Sequence, residues 1–377
     1  MLPENTDKFI SYFDNITDHR IERHKLYPII EIVFLVVSGN ICGARSWRDY
    51  VNFGKAKLYL LKQYLPFSNG IPSKNTLYRV YSAIKPELLQ SCFTSWVKSI
   101  YVCVNDVIPI DGKCIRGSHN RKNDKAANHI VSAYSSTHSL VLGQIKVEEK
   151  SNEITAIPQL LDAIDIEGST ITIDAMGTQK AIAKKIIEKK ADYILALKDN
   201  HKCLNENVKL FLENEFNKAG NGCLKSNLQV DKGHGRLEER TCYVSDNISW
   251  LEKKDAWAGL QSLIMIKSKR TIGDQESTES RFYLSSKPAD PLYLNHAIRS
   301  HWSIENQLHW ILDVTMGEDG SRVRKDYAPQ NMSLMKHIAL NLLQNAKKEM
   351  KGISINGLKK LAGWCDKTLG IIMSKNF

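Results

Sequence analysis

The sequence predicts an α/β protein. A helical N-terminal region precedes a mixed β-sheet, and a β-rich insertion separates that sheet from a late helix. Three observations carry the prediction. Apolar residues keep a helical period through the first hundred positions and change to short strand-like runs from Val107. Two of those runs, Ile108-Pro109-Ile110-Asp111 and Ile171-Thr172-Ile173-Asp174, end on an aspartate. A third acid, Glu305, lies far downstream in the helix-patterned stretch 298–313.

In the helical region, 27–38 is an apolar helix, and Ser46 is placed to cap a second helix over 47–64. Asn69-Gly70-Ile71-Pro72-Ser73 reads as a turn ending in a Ser N-cap. Helices over 76–84 and 86–101 follow, the last with Pro at its start. Strands are expected over 107–111, 129–135 and 139–147, the last two joined by a turn at Ser136-Thr137-His138. A helix over 154–164, a strand over 170–174, an amphipathic helix over 177–190 and a buried strand over 193–197 complete the run. The order strand, strand, strand, helix, strand, helix, strand is that of an RNase H-like sheet. There the first and fourth strands are neighbours, so Asp111 and Asp174 would lie side by side. A helix over 203–216 comes next. The insertion has strand-like stretches at 239–244, 262–266 and 281–284, and helices over 291–314 and 331–350 end the core. The resulting division is a helical domain over 1–103, a first core part over 104–216, the insertion over 217–290, a second core part with the Glu305 helix over 291–350, and a basic tail over 351–377.

Composition sets the class. The 377 residues suggest two or three domains, and 42% hydrophobic content is enough for real cores. The longest apolar run, 29–44, contains Glu31 and Asn40 and is too short to span a bilayer. The first twenty residues mix acids, bases and aromatics and read as no export signal, which points to the cytoplasm, with nucleoid association and no membrane partner. The eight cysteines include no C-x-x-C pair and read as reduced core residues. The net charge of +11 suggests a polyanionic partner, because lysine and arginine release counterions when they bind phosphates. Residues 1–100 hold 13 Lys+Arg against 8 Asp+Glu, so the bias is spread along the chain.

Three carboxylates brought together repel one another and imply bound cations. Oxygen-only ligands favour Mg²⁺, with Mn²⁺ as the alternative, and two such ions suit in-line attack on a phosphodiester. Asp111 is assigned to bridge both ions, with Asp174 and Glu305 each holding one. Without cations, such carboxylates would bind protons jointly.

Several sequence words together carry a family resemblance. They are Ile110-Asp111-Gly112-Lys113, Ser151-Asn152-Glu153-Ile154, Thr172-Ile173-Asp174-Ala175-Met176-Gly177, Gly233-His234-Gly235-Arg236, His301-Trp302-Ser303-Ile304-Glu305-Asn306-Gln307-Leu308-His309-Trp310 and Glu318-Asp319. In this order they closely resemble the H-repeat-associated family of insertion-sequence transposases. Cys42-Gly43-Ala44 and Gly70-Ile71-Pro72-Ser73 resemble that family's transposase-associated N-terminal domain. The resemblance implies a DDE transposase with an RNase H-like core and the acids Asp111, Asp174 and Glu305. It implies double-stranded DNA partners, both terminal inverted repeats and target DNA, and a homodimer or larger assembly. The N-terminal domain would read the repeats. Many members of the wider superfamily carry a Tyr-Arg-Glu-Lys pattern around the glutamate. Here His301 stands four before Glu305 and Leu312 seven after it, and Arg299 is the nearest substitute for the arginine.

Supporting DNA contacts are assigned around these acids, with solvated surface charge as the plain alternative. Lys113 and Arg116 follow the first strand and would hold a scissile phosphate. Lys198 and Asn200 end the fifth strand. His301, Asn306 and His309 lie around Glu305, and His309 would share its face of the helix. His234 and Arg236, in a Gly-rich turn, would touch the DNA end. Trp302 and Trp310 read as core aromatics rather than stacking platforms. Two other functions fit less of the sequence. His301, Glu305, His309 and Asp313 recur every four residues, as a zinc hydrolase site could, but that ignores Asp111 and Asp174. A catalytically decayed or domesticated DNA-binding relative would keep the same residues.

Overall fold

The computed structural model describes residues 6–14, 16–18, 20, 25–103, 105–119, 126–148, 151–218, 224–233 and 235–374. The N-terminal part is helical: α1 (Thr6–Phe13), α2 (Ile29–Ile41), α3 (Trp47–Ala56), α4 (Leu58–Leu61), α5 (Lys74–Ala83) and α6 (Pro86–Ile100). α2 is apolar nearly all round and is buried along its whole length, as such a helix must be. Its one acid, Glu31, accepts the Phe67 amide at 2.7 Å. Ser46 caps α3 in a reciprocal box with Asp49, and Ser73 caps α5. The single helix expected over 47–64 breaks at Lys57, where φ is −110° and ψ 15°.

One nine-stranded sheet runs through the rest of the described residues, in the order β3-β2-β1-β4-β5-β9-β8-β7-β6. Its strands are β1 (Val107–Ile115), β2 (Asn128–Ser135), β3 (Leu140–Lys146), β4 (Thr170–Ile173), β5 (Asp192–Leu197), β6 (Lys225–Gly233), β7 (Arg236–Ser245), β8 (Ser262–Ile272) and β9 (Gln275–Ser285). β1 pairs antiparallel with β2 and parallel with β4, and β4 pairs parallel with β5. These adjacencies match those expected from strand order. The four residues of β4 are all buried, with Ile171 and Ile173 alternating with Thr170 and Thr172 on the two faces of the sheet.

The insertion extends this same sheet, because β9 pairs antiparallel with β5 through Ile194↔Ser285 and Leu197↔Phe282. β6 escaped sequence reading because most of its residues are polar and exposed. The two faces of the sheet bury different side chains. Ile108, Ile110, Ile171, Ile173 and Leu195 join the large core with α7 (Glu153–Ala163), α8 (Lys180–Glu188) and the N-terminal helices. Val107, Ile194, Cys242, Val244, Ile264 and Ile266 pack instead under α10 (Pro291–Ser300).

α11 (Ala328–Glu349) is buried over most of its length and packs against α2, α5 and α6. The C-terminal residues form α12 (Ile355–Trp364) and α13 (Asp366–Ser374), with Leu358, Leu369 and Ile372 fully buried. No helix among the described residues is long and apolar enough to cross a membrane.

Candidate active site

Strand parity decides which face carries the acids. Side chains alternate along a strand, so Asp111 shares a face with Val107, and Asp174 continues the row Thr170, Thr172 just past β4. Pro109 lies opposite Thr172 in the β1–β4 register, which sets Asp111 next to Asp174. Thr170 bonds the Tyr293 hydroxyl of α10 at 2.6 Å, and Thr172 bonds His301 Nδ1 at 2.9 Å. The acids therefore lie under the helix that leads to Glu305.

That helix changes its winding. Beyond α10 the chain is π-helical over Ile304–His309 and again over Ile311–Thr315, a form concentrated at functional sites. Four residues fall just short of one π turn, so Glu305 and His309 project to the same side. Hydrogen bonds dock the segment on the sheet: Ser136 to Ser303 at 2.9 Å and Tyr134 to Gln307 at 3.1 Å. At its end the Thr315 carbonyl accepts from Lys359 of α12 and from Arg45. The C-terminal helices thus satisfy the helix terminus that the acids depend on.

Asp111, Glu305 and His309 offer ligand atoms that all lie within 4.8 Å of one another. His309 Nδ1 is 3.7 Å from Asp111 Oδ2 and 3.5 Å from Glu305 Oε2. Asp174 lies on the wall of the same cavity of about 300 Å³, together with Asp111, Lys198, His301 and Glu305. Its Oδ1 accepts the amides of Met176 (3.1 Å) and Gly177 (3.4 Å), which fixes the carboxylate. Asp174 is outside the tightest cluster, and His309 takes the third place there. Burial and the adjacent Glu305 push Asp111 up to about 8. Hydrogen bonding to His309 and Asp111 holds Glu305 low. The two shifts describe one proton kept between the pair.

A divalent cation fits these residues. The Asp111–Glu305 repulsion is relieved by positive charge, and His309 turns Nδ1, a nitrogen able to ligate a cation, toward both carboxylates. A stability prediction follows. Without cations, the folded protein keeps the shared proton between about pH 4 and pH 8, where an unfolded aspartate has lost it. Folding stability therefore falls as pH rises through that window. In EDTA, urea midpoints should decline from pH 5 to 8 more steeply for the wild type than for Asp111→Asn. Equal slopes would remove the shared proton.

The other residues assigned from sequence separate into distinct places. Lys113 does not face the cavity as a phosphate ligand. It is 10% exposed, with its ammonium 2.6 Å from Asp313, 3.2 Å from Glu318 and 3.4 Å from Asp319. Arg116 is 84% exposed and 3.6 Å from Asp319. Lys198 is exposed at the cavity mouth, whereas Asn200 donates to the Ala175 carbonyl. His301 is held by Thr172, and burial lowers its pKa. Asn306, Arg299 and Arg236 line a neighbouring cavity, and His234 lies outside the described residues. Trp302 and Trp310 are not core aromatics, being 43% and 57% exposed.

The four-residue row His301, Glu305, His309, Asp313 is no single zinc site, since His301 binds Thr172 and Asp313 pairs with Lys113. Sequence reading also missed the pair His129–Glu153, 2.7 Å apart. This pair explains the glycine after Asp111: a Cβ on Gly112 would sit 2.1 Å from Glu153 Oε1 and 2.3 Å from His129 Nε2.

Comparison with known proteins gives the chain's family. Residues 103–342 match the family model described as "Transposase DDE domain", and residues 10–97 match one described as "DDE_Tnp_1-associated". The protein named "Putative transposase YncI" of Escherichia coli O157:H7 is 40% identical over 359 residues, covering 94% of this chain and 91% of that protein. The "H repeat-associated putative transposase YhhI" of Escherichia coli K12 is 40% identical over 349 residues, covering 90% and 91%. The chain belongs to the DDE transposase family, among its H repeat-associated members.

Proposed function

We propose that the protein is the DNA transposase of an insertion sequence, which binds terminal inverted repeats and catalyses cation-dependent strand cleavage and strand transfer. The observation that supports this most is the convergence of Asp111, Glu305 and His309 within 4.8 Å, from elements nearly two hundred residues apart, beside Asp174. The strand order β3-β2-β1-β4-β5 supports an RNase H-like core, with the β6–β9 insertion placed between β5 and the Glu305 helix.

Asp111, Glu305 and Asp174 would hold Mg²⁺ or Mn²⁺, with His309 as an added nitrogen ligand. When bound, such ions polarise the scissile phosphate and lower the pKa of water. The chain's own residues do the rest. The amides of Met176 and Gly177 orient Asp174, and the π-helical turn aims Glu305 and His309 together. His301, kept neutral by burial, ties that helix to β4 without adding charge. Lys198 and Arg116, both exposed, would meet backbone phosphates. No serine or tyrosine nucleophile is needed, because water and then the freed 3′-hydroxyl attack phosphorus directly. The substrate is double-stranded DNA, at the element's ends and at the target. Joining two ends at once calls for a homodimer or larger assembly.

The test is cleavage and joining of DNA bearing the element's ends, with Mg²⁺ or Mn²⁺. Asp111→Ala, Asp174→Ala and Glu305→Ala should each lose both activities and keep DNA binding. A wild type that binds but never cuts would instead identify a catalytically decayed relative.

End recognition falls to the N-terminal helices. Removing residues 1–100 would also strip the cover from α11, so point changes are the cleaner test. Arg48, Lys74 and Arg79 are exposed there. Changing all three to Ala should weaken binding to cognate ends more than to scrambled ends; an equal loss on both would place recognition elsewhere.

A further inference from the structure

A second cavity adjoins the carboxylates. It measures about 530 Å³ and is lined by Arg236, Arg240, Arg270, Arg281 and Arg299, with Glu238 and Glu279 as the only acids among the described residues that line it. Strand geometry creates it. Arg236, Glu238 and Arg240 alternate along β7 and so share one face. Glu238 lies opposite Arg270 on β8, and Ile266 lies opposite Arg281 on β9, which brings the arginines of three strands onto that face. α10 covers the apolar end of the same face with Leu294, Ala297 and Ile298. Past them, Arg299 and Asn306 look over the uncovered end.

Internal pairing does not account for this charge. Glu279 is bound by Arg281 at 2.8 Å, and Glu238 is 3.9 Å from Arg299. No carboxylate among the described residues lies within ion-pair distance of Arg236, Arg240 or Arg270. Arg240 is 7% exposed, and its Nε has no hydrogen-bond partner among the described residues. A buried guanidinium left in this state costs free energy unless an anion completes it. The cavity is contiguous with the carboxylate pocket, since Arg281, Tyr283 and Trp302 line both.

We infer that this arginine-lined concavity holds consecutive backbone phosphates of the DNA strand that enters the carboxylate pocket. The inference rests on the proposed nuclease reading for its ligand. The chemistry is that of phosphodiester oxygens: guanidinium forks bind them bidentately, and five on one face suit a row of phosphates better than a lone anion. The strand would run from Asp111 and Glu305 past Trp302 and along β9 to β7.

The salt dependence of DNA binding tests this without requiring catalysis. Affinity of the full chain for a short duplex is measured by fluorescence anisotropy, with Ca²⁺ present, across a series of NaCl concentrations. Each phosphate contact contributes roughly 0.9 to the slope of log affinity against log salt. The variant Arg236→Ala/Arg270→Ala/Arg299→Ala should flatten the slope by about 2 to 3 and lower affinity at least tenfold. Arg270→Ala alone, at an exposed strand position where folding is not at stake, should flatten it by about 1. A control lacking Lys184, Lys190 and Lys254, which line neither cavity, should shift it less. A slope unchanged in the arginine variants, or shifted equally in the control, overturns the site. Flattened slopes in a protein that never cuts DNA leave the site standing and sink the nuclease reading alone.

Discussion

Glu305→Gln is expected to lower the rate of cation-dependent strand cleavage by about 10³-fold while leaving the affinity for DNA ends within about twofold. A cation at such a site stabilises transition-state charge by several kcal/mol, and about 4 kcal/mol corresponds to that factor. The substitution removes a charge and keeps the shape. It lies on a half-exposed side chain whose neighbours are His309 and Asp111, so packing is not disturbed. Asp111→Asn should cost as much. His309→Ala should cost less and alter the preference between Mg²⁺ and Mn²⁺, because an imidazole ligand suits the softer ion. Rates are read on a pre-bound, labelled DNA end under single turnover. Cleavage by Glu305→Gln within tenfold of the wild type would detach the glutamate from the chemistry and leave the cluster as a structural feature.

Glu318→Ala is expected to destabilise the fold by roughly 3 to 5 kcal/mol, the usual cost of removing one partner from a buried charge network. Glu318 is 2% exposed and lies 3.2 Å from Lys113. Burial pushes its carboxyl up, but Lys336 and Lys113 outweigh this and hold it low. Lys336 is itself 4% exposed on α11, where burial works against its charge and Glu318 supports it. Without Glu318, that ammonium has lost the carboxylate that sustains it. The loss is a large share of the roughly 5 to 15 kcal/mol that holds a typical domain together. Urea unfolding measures it, and Glu318→Ala/Lys336→Met should recover much of the loss because no buried charge is then stranded. A single-variant loss below about 1 kcal/mol would show that Lys336 finds another partner. The network also touches function: Lys113 stands two residues from Asp111, and Asp313 lies in the last turn of the Glu305 helix, so the same ions lock strand to helix.

Legibility in the sequence followed local physics. β1, β4 and β5 were readable because their buried stretches are rich in Val, Ile and Leu. The Ser46 and Ser73 caps were readable because they act on backbone a few residues away. β6 was not, since a polar edge strand has no apolar period to betray it. α12 and α13 were not, because what makes them core elements is their packing against α2 and α11. Lys113 was misread for a related reason: a basic residue after a strand-end aspartate resembles a phosphate ligand until three distant carboxylates fold around it. The exposure of Trp302 and Trp310 depended on which side of their helix met the core, which residue type does not announce.

By itself the sequence determined the family and the strand order that sets Asp111 and Asp174 side by side. Both follow from residue types and short periods along one chain. Tertiary structure alone decided that His309 joins Asp111 and Glu305 while Asp174 stands on the adjoining wall. It alone gathered arginines from three strands and a helix into one cavity. Such arrangements depend on register, helix winding and packing between elements remote in the chain, and these are fixed only when the whole core closes.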